Sequence, residues 1–231
     1  MQEYDAKKAW TSVLTSVDMP YPSEYVIRIL KGSYPKLNLD KSAYLGRKIC
    51  DVGCGPGRNF PLLAQCGFDV YGVEIAQEII DRIKDSMDSL GIHATVAVGS
   101  NNQLPFSDRF FDYLLSWNAC YYMGSAEVDF NTHVVEFARV LKDDGYLILS
   151  VPKISGFIFR DSKEVRPGYR MVLSDPFQLR NGEIMRAFRD SDEIIETFQP
   201  FFKNFIVASV EDDCFGLAYH FHLIIAQKTH I

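Results

Sequence analysis

Five residues between positions 51 and 74 have the types and spacing to hold a nucleotide: Asp51, Gly53, Gly55, Gly57 and Glu74. The stretch Ile49 to Gly57, I-C-D-V-G-C-G-P-G, reads as a buried strand end breaking into a glycine-rich turn. Glycines there let the backbone bend sharply and come close to a ligand. Glu74 follows about 20 residues on, where an acidic side chain meets ribose hydroxyls in nucleotide-binding βαβ units. The glycine spacing is G-x-G-x-G and not the dinucleotide G-x-G-x-x-G. Asp51, two residues before the first glycine, sets a negative charge at the strand tip. A carboxylate fixed there repels a pyrophosphate and attracts a cation.

S-adenosylmethionine (SAM) meets both demands. Its adenosine suits Glu74, and its cationic amino group and sulfonium suit the Asp51 end. Charge therefore favours SAM over NAD. The elements needed to position these groups are legible. A short helix carries Phe60, Leu62, Leu63 and Ala64 and stops at Gly67, and a second strand, Asp69 to Val73, delivers Glu74. Ala76 to Leu90 carries the apolar stripe Ile79, Ile80, Ile83 and Met87 of an amphipathic helix. Ala94 to Val98 and Phe110 to Ser116 read as the third and fourth strands, Glu127 to Leu141 as a helix, and Asp143-Asp144-Gly145 as the turn into a fifth strand, Tyr146 to Val151. His133 inside that helix has no neighbour in sequence to poise it as a base, which favours a structural role.

From about Leu45 to Val151 the chain resembles the class I (Rossmann-like) SAM-dependent methyltransferases, small-molecule branch. D-V-G-C-G-P-G looks like the family's first motif, Val73-Glu74 its second, Leu104 to Ser116 the segment leading into its fourth strand, and Glu136 to Pro152 its last helix and fifth strand. The resemblance implies an α/β fold: a doubly wound, mostly parallel seven-stranded sheet with an antiparallel C-terminal edge strand and helices on both faces. It implies an N-terminal helical lid, residues 1–45, ahead of a SAM-binding domain, residues 46–231, with a substrate-side hairpin insertion at 152–190. SAM is the implied cofactor. Asp51, Gly53, Gly55, Arg58, Glu74, Ile75, Ser100, Asn101, Asn102, Ser116, Trp117 and Asn118 are the implied cofactor contacts. Ser100 departs from the family, where an aspartate often accepts from the adenine amino group; a hydroxyl accepts more weakly, and Asn101 and Asn102 offer compensation. Asn118 does not begin the N-P-P-Y motif that marks methylation of exocyclic amines in related enzymes.

In the leading segment, Ala6 to Val17 reads as a helix broken by Met19 to Pro22. A second helix starting at Pro22 carries Tyr25, Val26, Ile29 and Leu30 and ends at Gly32. Trp10, Tyr21 and Tyr25 could wall the pocket, and Arg28 or Arg58 could meet the methionine carboxylate. The insertion carries Lys153, Arg160, Lys163, Arg166, Arg170, Arg180, Arg186 and Arg189, which favours an anionic acceptor, and Asn181-Gly182 reads as its hairpin turn. Ser191 reads as a helix cap, and Phe205 to Val210 and Tyr219 to Ala226 as an antiparallel pair at the sheet edge, joined by a loop, E-D-D-C-F-G, of a kind that lines the substrate pocket in related folds. Tyr21, Tyr122, Arg170 and His220 are substrate-pocket candidates. Tyr21, Tyr122, His220 and His222 are the candidates for a base, and no catalytic residue is assigned. His220 and His222 share a strand face without a visible third ligand, so no metal is expected.

A net charge of −6 argues against a broad nucleic-acid-binding face. Hydrophobic residues make up 47% of 231, enough for a full core. Five cysteines without C-x-x-C spacing, a polar start and no long apolar run fit a reduced, cytoplasmic protein off the membrane, a monomer or homodimer. The expected activity is methyl transfer from SAM to a small O- or N-nucleophile. A SAM-binding protein without turnover and an NAD-dependent oxidoreductase are the rival readings.

Overall fold

The computed structural model describes residues 6–16 and 21–230. The chain opens with helices α1 (Ala6–Ser16) and α2 (Glu24–Lys31), then runs β1 (Lys48–Val52), α3 (Phe60–Gln65), β2 (Asp69–Glu74), α4 (Gln77–Ser89), β3 (Ala94–Val98), β4 (Phe111–Ser116), α5 (Asn131–Val140) and β5 (Leu141–Pro152). Then follow α6 (Phe157–Arg160), β6 (Ser162–Arg166), β7 (Tyr169–Val172), β8 (Ile184–Arg186), α7 (Ser191–Phe198), β9 (Phe202–Cys214) and β10 (Leu217–Lys228). Val17, Met19 and Pro20, expected to end the first helix, lie outside the described residues.

Seven strands form one sheet in the order β3-β2-β1-β4-β5-β10-β9, and β6, β7 and β8 form a small antiparallel sheet. Every residue of β4, and all but the first of β1, is buried, as parallel strands covered on both faces demand. The α4 stripe Ile79, Ile80, Ile83 and Met87 is buried as its spacing predicts. The strand order reverses between β1 and β4, and ligands of open α/β sheets settle beyond the carboxyl ends at such a point. The antiparallel strand is β10, which runs against both β5 and β9, so the outermost strand is β9.

Several boundaries differ from expectation. Helix α5 starts at Asn131, not Glu127, because the Asp129 carboxylate accepts from the Asn131 amide (2.9 Å) and turns the chain first. The Asp143–Gly145 turn is a bulge inside β5: Phe111 pairs with Leu141 and Tyr113 with Tyr146 while Asp144 takes φ 58°. The acidic stretch before Phe215 belongs to β9, and the hairpin closes on Phe215-Gly216 alone, at φ 52° and 87°, which matches a type I′ turn. Asn181-Gly182 is not a tight turn: an eleven-residue connection, 173–183, separates β7 from β8, and Asn181 Oδ1 accepts from the Asp175 amide (2.8 Å). The tight turn of the insertion lies between Arg166 and Tyr169, with Gly168 at φ 76°. Asp190, not Ser191, caps α7, its side chain accepting from the Glu193 amide (2.9 Å).

The insertion is stitched to the segment that leaves β4. Arg186 N donates to Tyr121 O (2.9 Å), Met123 N to Ile184 O (3.0 Å), and Lys153 bridges Phe188. That stitching decides which insertion residues reach the switch point. Among the described residues no helix is long and apolar enough to cross a membrane.

Candidate active site

The glycine turn is fastened to β2. Gly53 N donates to Val73 O (2.9 Å) and Gly55 N to Glu74 Oε1 (2.7 Å), while Ile75 N donates to Glu74 Oε2 (2.9 Å). Burial raises the Glu74 pKa, and the two amides pull against it. Each carboxylate oxygen can accept a second bond, so Glu74 can brace the turn and still receive a hydroxyl. Gly53 sits at φ 68°, and a Cβ there would lie 2.4 Å from Ala119 Cβ, so no side chain fits.

Asp51 ends β1 at 1% exposure. Its Oδ2 accepts from Asn59 Nδ2 (3.0 Å), and its Oδ1 is buried with no hydrogen-bond partner among the described residues. Burial pushes its pKa up to about 7; the Asn59 bond pulls down, the Glu74 charge pushes up and the Arg58 charge pulls down. Arg58 is affected by both Tyr219 and Asp51, and burial lowers its pKa against them. Asn59 Oδ1 also accepts from Ser23 N (3.1 Å), tying the entry of α2 to this site. The sequence reading missed Asn59; the available signal was a polar residue at the start of an apolar helix, one turn after the glycines.

Across the switch point the other expected residues gather. Ser100 pairs its backbone with Gln103, and its hydroxyl donates to Asn102 Oδ1 (2.7 Å). Asn101 Nδ2 donates to Ala119 O (3.1 Å), and Asn101 Oδ1 is buried without a hydrogen-bond partner among the described residues. Ser116 is fully buried against Val52 O (3.5 Å), and Trp117 is nearly so. Asn118, at φ 58°, is held by Ser150: its amide donates to Ser150 Oγ, which in turn donates to Asn118 Oδ1, both at 2.9 Å. Asn118 Nδ2 reaches Tyr219 OH at 3.5 Å. Ser150 and Tyr219 were missed; Tyr219 alternates with the two histidines that drew attention along β10.

A second cluster lies on the insertion side. Trp10 packs edge-on against Tyr122 at 5.7 Å, and the Arg180 guanidinium stands 5.4 Å from the Trp10 ring and 5.7 Å from Phe157. Arg180 donates to Tyr122 OH (3.0 Å) and to Asp175 Oδ1 (3.0 Å), whose side chain is fully buried. Glu183, 5% exposed, lies beside Trp10 and Arg180; burial raises its pKa to about 7 and both neighbours lower it. On α1, Leu14 lies one turn from Trp10, and its Cδ2 would be 3.5 Å from a Cβ on Gly55.

Three of the four substrate-pocket candidates lie elsewhere. Tyr21 is 77% exposed. Arg170 crosses to β6, donating to Ser162 Oγ (2.8 Å) and Ser162 O (2.9 Å). His220 meets Ser155 Oγ (3.0 Å) on the face of β10 opposite Tyr219. Tyr122 alone falls in the cluster. Tyr25, offered as a pocket wall, donates to Asp212 (2.6 Å), and Arg28, offered for the methionine carboxylate, pairs with Glu24 on its own helix (2.6 Å). Most insertion cations are engaged structurally: Arg186 and Arg189 with Glu193, Lys153 with Glu211, Arg166 with Tyr169 and the Val128 carbonyl. His133 is buried, with Nδ1 2.9 Å from Cys120 O.

Residues 49–145 match the model of a methyltransferase domain family. The chain is similar to a methyltransferase domain over that stretch. It is 33% identical over 136 residues to a Bacillus subtilis protein named as a 23S rRNA (guanine-N(1)-)-methyltransferase, YxjB, covering 53% of this chain and 42% of that one. The chain spans between a quarter and about half of the length of the curated relatives it matches. Likeness of fold extends over nearly the whole chain. The PH0226 protein of Pyrococcus horikoshii superposes with a TM-score of 0.66 at 20% identity, over 94% of this chain and 99% of that one. A SAM-dependent methyltransferase of Methanosarcina mazei superposes with 0.64 at 22%, over 86% and 99%. S-adenosylmethionine is the cofactor that this likeness implies. The candidate site fits that cation on one point above all: Asp51 Oδ1, buried and without a hydrogen-bond partner among the described residues, is an acceptor in search of a donor.

Proposed function

We propose that the protein transfers a methyl group from SAM to a small O- or N-nucleophile that enters between α1 and the insertion. The observation that carries this reading is Asp51 Oδ1 at the tip of β1. A buried carboxylate oxygen left unpaired is costly, and a cationic amino group would complete it. In this reading Asp51, with Asn59 behind it, and Arg58 hold the amino-acid end. Glu74 receives the ribose, with the turn at Gly53 and Gly55 and the Ile75 amide beside it. Ser100, Asn101 and Asn102 meet the adenine. Ser116, Trp117 and Asn118 close the floor at the switch point. Bound SAM supplies a methyl group already activated by its sulfonium, so the chain's main work is alignment.

Residues 1–45 act as the lid of a domain spanning 46–231. Support comes from α1, whose Trp10 and Leu14 lean on the acceptor cluster and the glycine turn respectively. An anionic acceptor draws its support from Arg180 alone among the insertion cations named at the cluster, and that guanidinium already answers Asp175. Calorimetry with SAM, S-adenosylhomocysteine (SAH) and NAD(H) tests the cofactor: micromolar or tighter SAH with silent NAD is expected, and the reverse rejects the reading. Release of SAH with a panel of small amines, phenols, acids, nucleotide sugars and RNA tests the acceptor. Tight SAH with no release from any of them favours a binding protein without turnover.

A further inference from the structure

The methyl-transfer reading leaves one buried acid without a task. We propose that Glu183 takes the proton that the acceptor's N–H or O–H sheds as it is methylated; this rests on the function proposed above. The position is set by three independent connections. The Ile184 carbonyl, next in the chain, accepts from Met123 N (3.0 Å), and Met185 bridges Tyr122, so Glu183 is pinned beside the segment leaving β4. Trp10 flanks it from α1. One turn along that helix, about 6 Å of axial rise, Leu14 overhangs Gly55 of the cofactor turn. An acceptor lying under α1 thus has the cofactor turn at one end and Glu183 at the other.

The alternatives nearby are committed elsewhere. Asp175 accepts from Arg180 Nη1 (3.0 Å) and from the Leu179 amide (3.0 Å), with its side chain fully buried. Tyr122 accepts from Arg180, and burial holds its pKa near 12, too high for a base at neutral pH. His220 and His222 face away from Tyr219 across β10. Among the described residues the charged and titratable groups acting with Glu183 are Arg180 from the insertion and Tyr122 from the segment after β4, and Asp175 and Tyr121 act in turn on Arg180. Burial against this partly balanced set holds the Glu183 carboxyl near neutrality, where a base is both available and effective. The step balances: the acceptor's lone pair forms the bond to the methyl carbon, the carbon–sulfur bond breaks with its pair going to sulfur, and the proton passes to a Glu183 oxygen and later to water.

Two measurements on the full chain test this. First, tryptophan emission is titrated from pH 5 to 9 in the parent and in Glu183→Gln, a change that keeps the side chain's shape. A component near pH 7 present only in the parent is expected; identical titrations overturn the proposal. Second, with saturating SAM, phenol, imidazole, aniline and butylamine serve as acceptor probes, and SAH release is followed against pH. For the probe best used, Glu183→Gln should lose about 100-fold or more in kcat/KM together with the acidic limb of the profile. Glu183→Asp should retain part of both, and SAH affinity should stay within about twofold of the parent. A Gln variant that keeps rate and limb overturns the proposal, as does a parent that binds SAH yet methylates none of the probes. Absence of SAH binding by the parent overturns the methyl-transfer reading itself, and this proposal with it.

Discussion

The two ends of the site are built differently. At the cofactor end, Asp51, the glycine turn and Glu74 come from one βαβ unit, and their contacts run between residues fewer than twenty-five apart. At the acceptor end, Trp10, Tyr122, Arg180 and Glu183 come from three distant stretches and meet only because β8 is laced to the segment after β4. The cofactor end also leaves one oxygen of a buried carboxyl without a hydrogen bond among the described residues, whereas the acceptor end pairs its deepest acid, Asp175 with Arg180. In the proposed reading the first end is completed by a ligand and the second by the protein. Substitutions should therefore separate them: losses of binding at one, losses of stability at the other.

The largest effect is expected from Arg180→Ala. It strands the buried Asp175 carboxylate, a loss of about 3 kcal/mol or more, roughly a 6–12 °C fall in melting temperature for a chain of this size. SAH affinity should stay within about twofold, and a concurrent collapse of SAH binding would break the comparison. Asp51→Asn should do the opposite, costing about 100-fold in SAH affinity by calorimetry while raising the melting temperature of the empty protein. The sign follows from the raised pKa. A carboxyl whose folded value is about 7, above its unfolded value, supports the fold fully when protonated in both states. That support is lost as pH rises from the unfolded value through about 7. The Asn variant should thus gain nothing near pH 4 and several degrees at pH 8.

A finer measurement sharpens the same contrast. At pH 6.5 to 7 Asp51 is part-protonated, and a cation seated on it should expel that proton. Calorimetry in buffers of different ionisation enthalpy should report release of about half a proton per SAM. Uptake, or no exchange, would mean the cation does not meet Asp51. The smallest effect concerns Asn118. At φ 58°, Asn118→Gly should cost well under about 1 kcal/mol net, whereas Asn118→Ala should cost about 1–2 kcal/mol, since it keeps the strain and loses the Ser150 bond. Chemical denaturation distinguishes the two.

The same difference explains what could be read from the sequence. The seven-stranded sheet and the gathering of Asp51, the glycines and Glu74 were legible because each signal is local: a strand, a turn, a helix stripe, an acid at fixed spacing. The acceptor end was not. Arg170 and Arg180 look alike in sequence, yet one lies on β7 and reaches across to Ser162 while the other sits in the long connection whose length Asn181-Gly182 disguised as a tight turn. Along β10 the alternation was legible, but the histidines drew notice where Tyr219, on the opposite face, reaches Asn118. Asn59 holds Asp51 by one hydrogen bond and Ser150 holds Asn118 by two, for which sequence spacing has no signature.

The contact of Gly53 with Ala119 has a consequence for how this surface can change. Ala119 follows Asn118, and its carbonyl anchors Asn101. One extra carbon on Gly53 would therefore jostle three neighbourhoods together: the bend after β1, the left-handed residue leaving β4, and the loop after β3. Drift by small steps is blocked at that point of the candidate cofactor site.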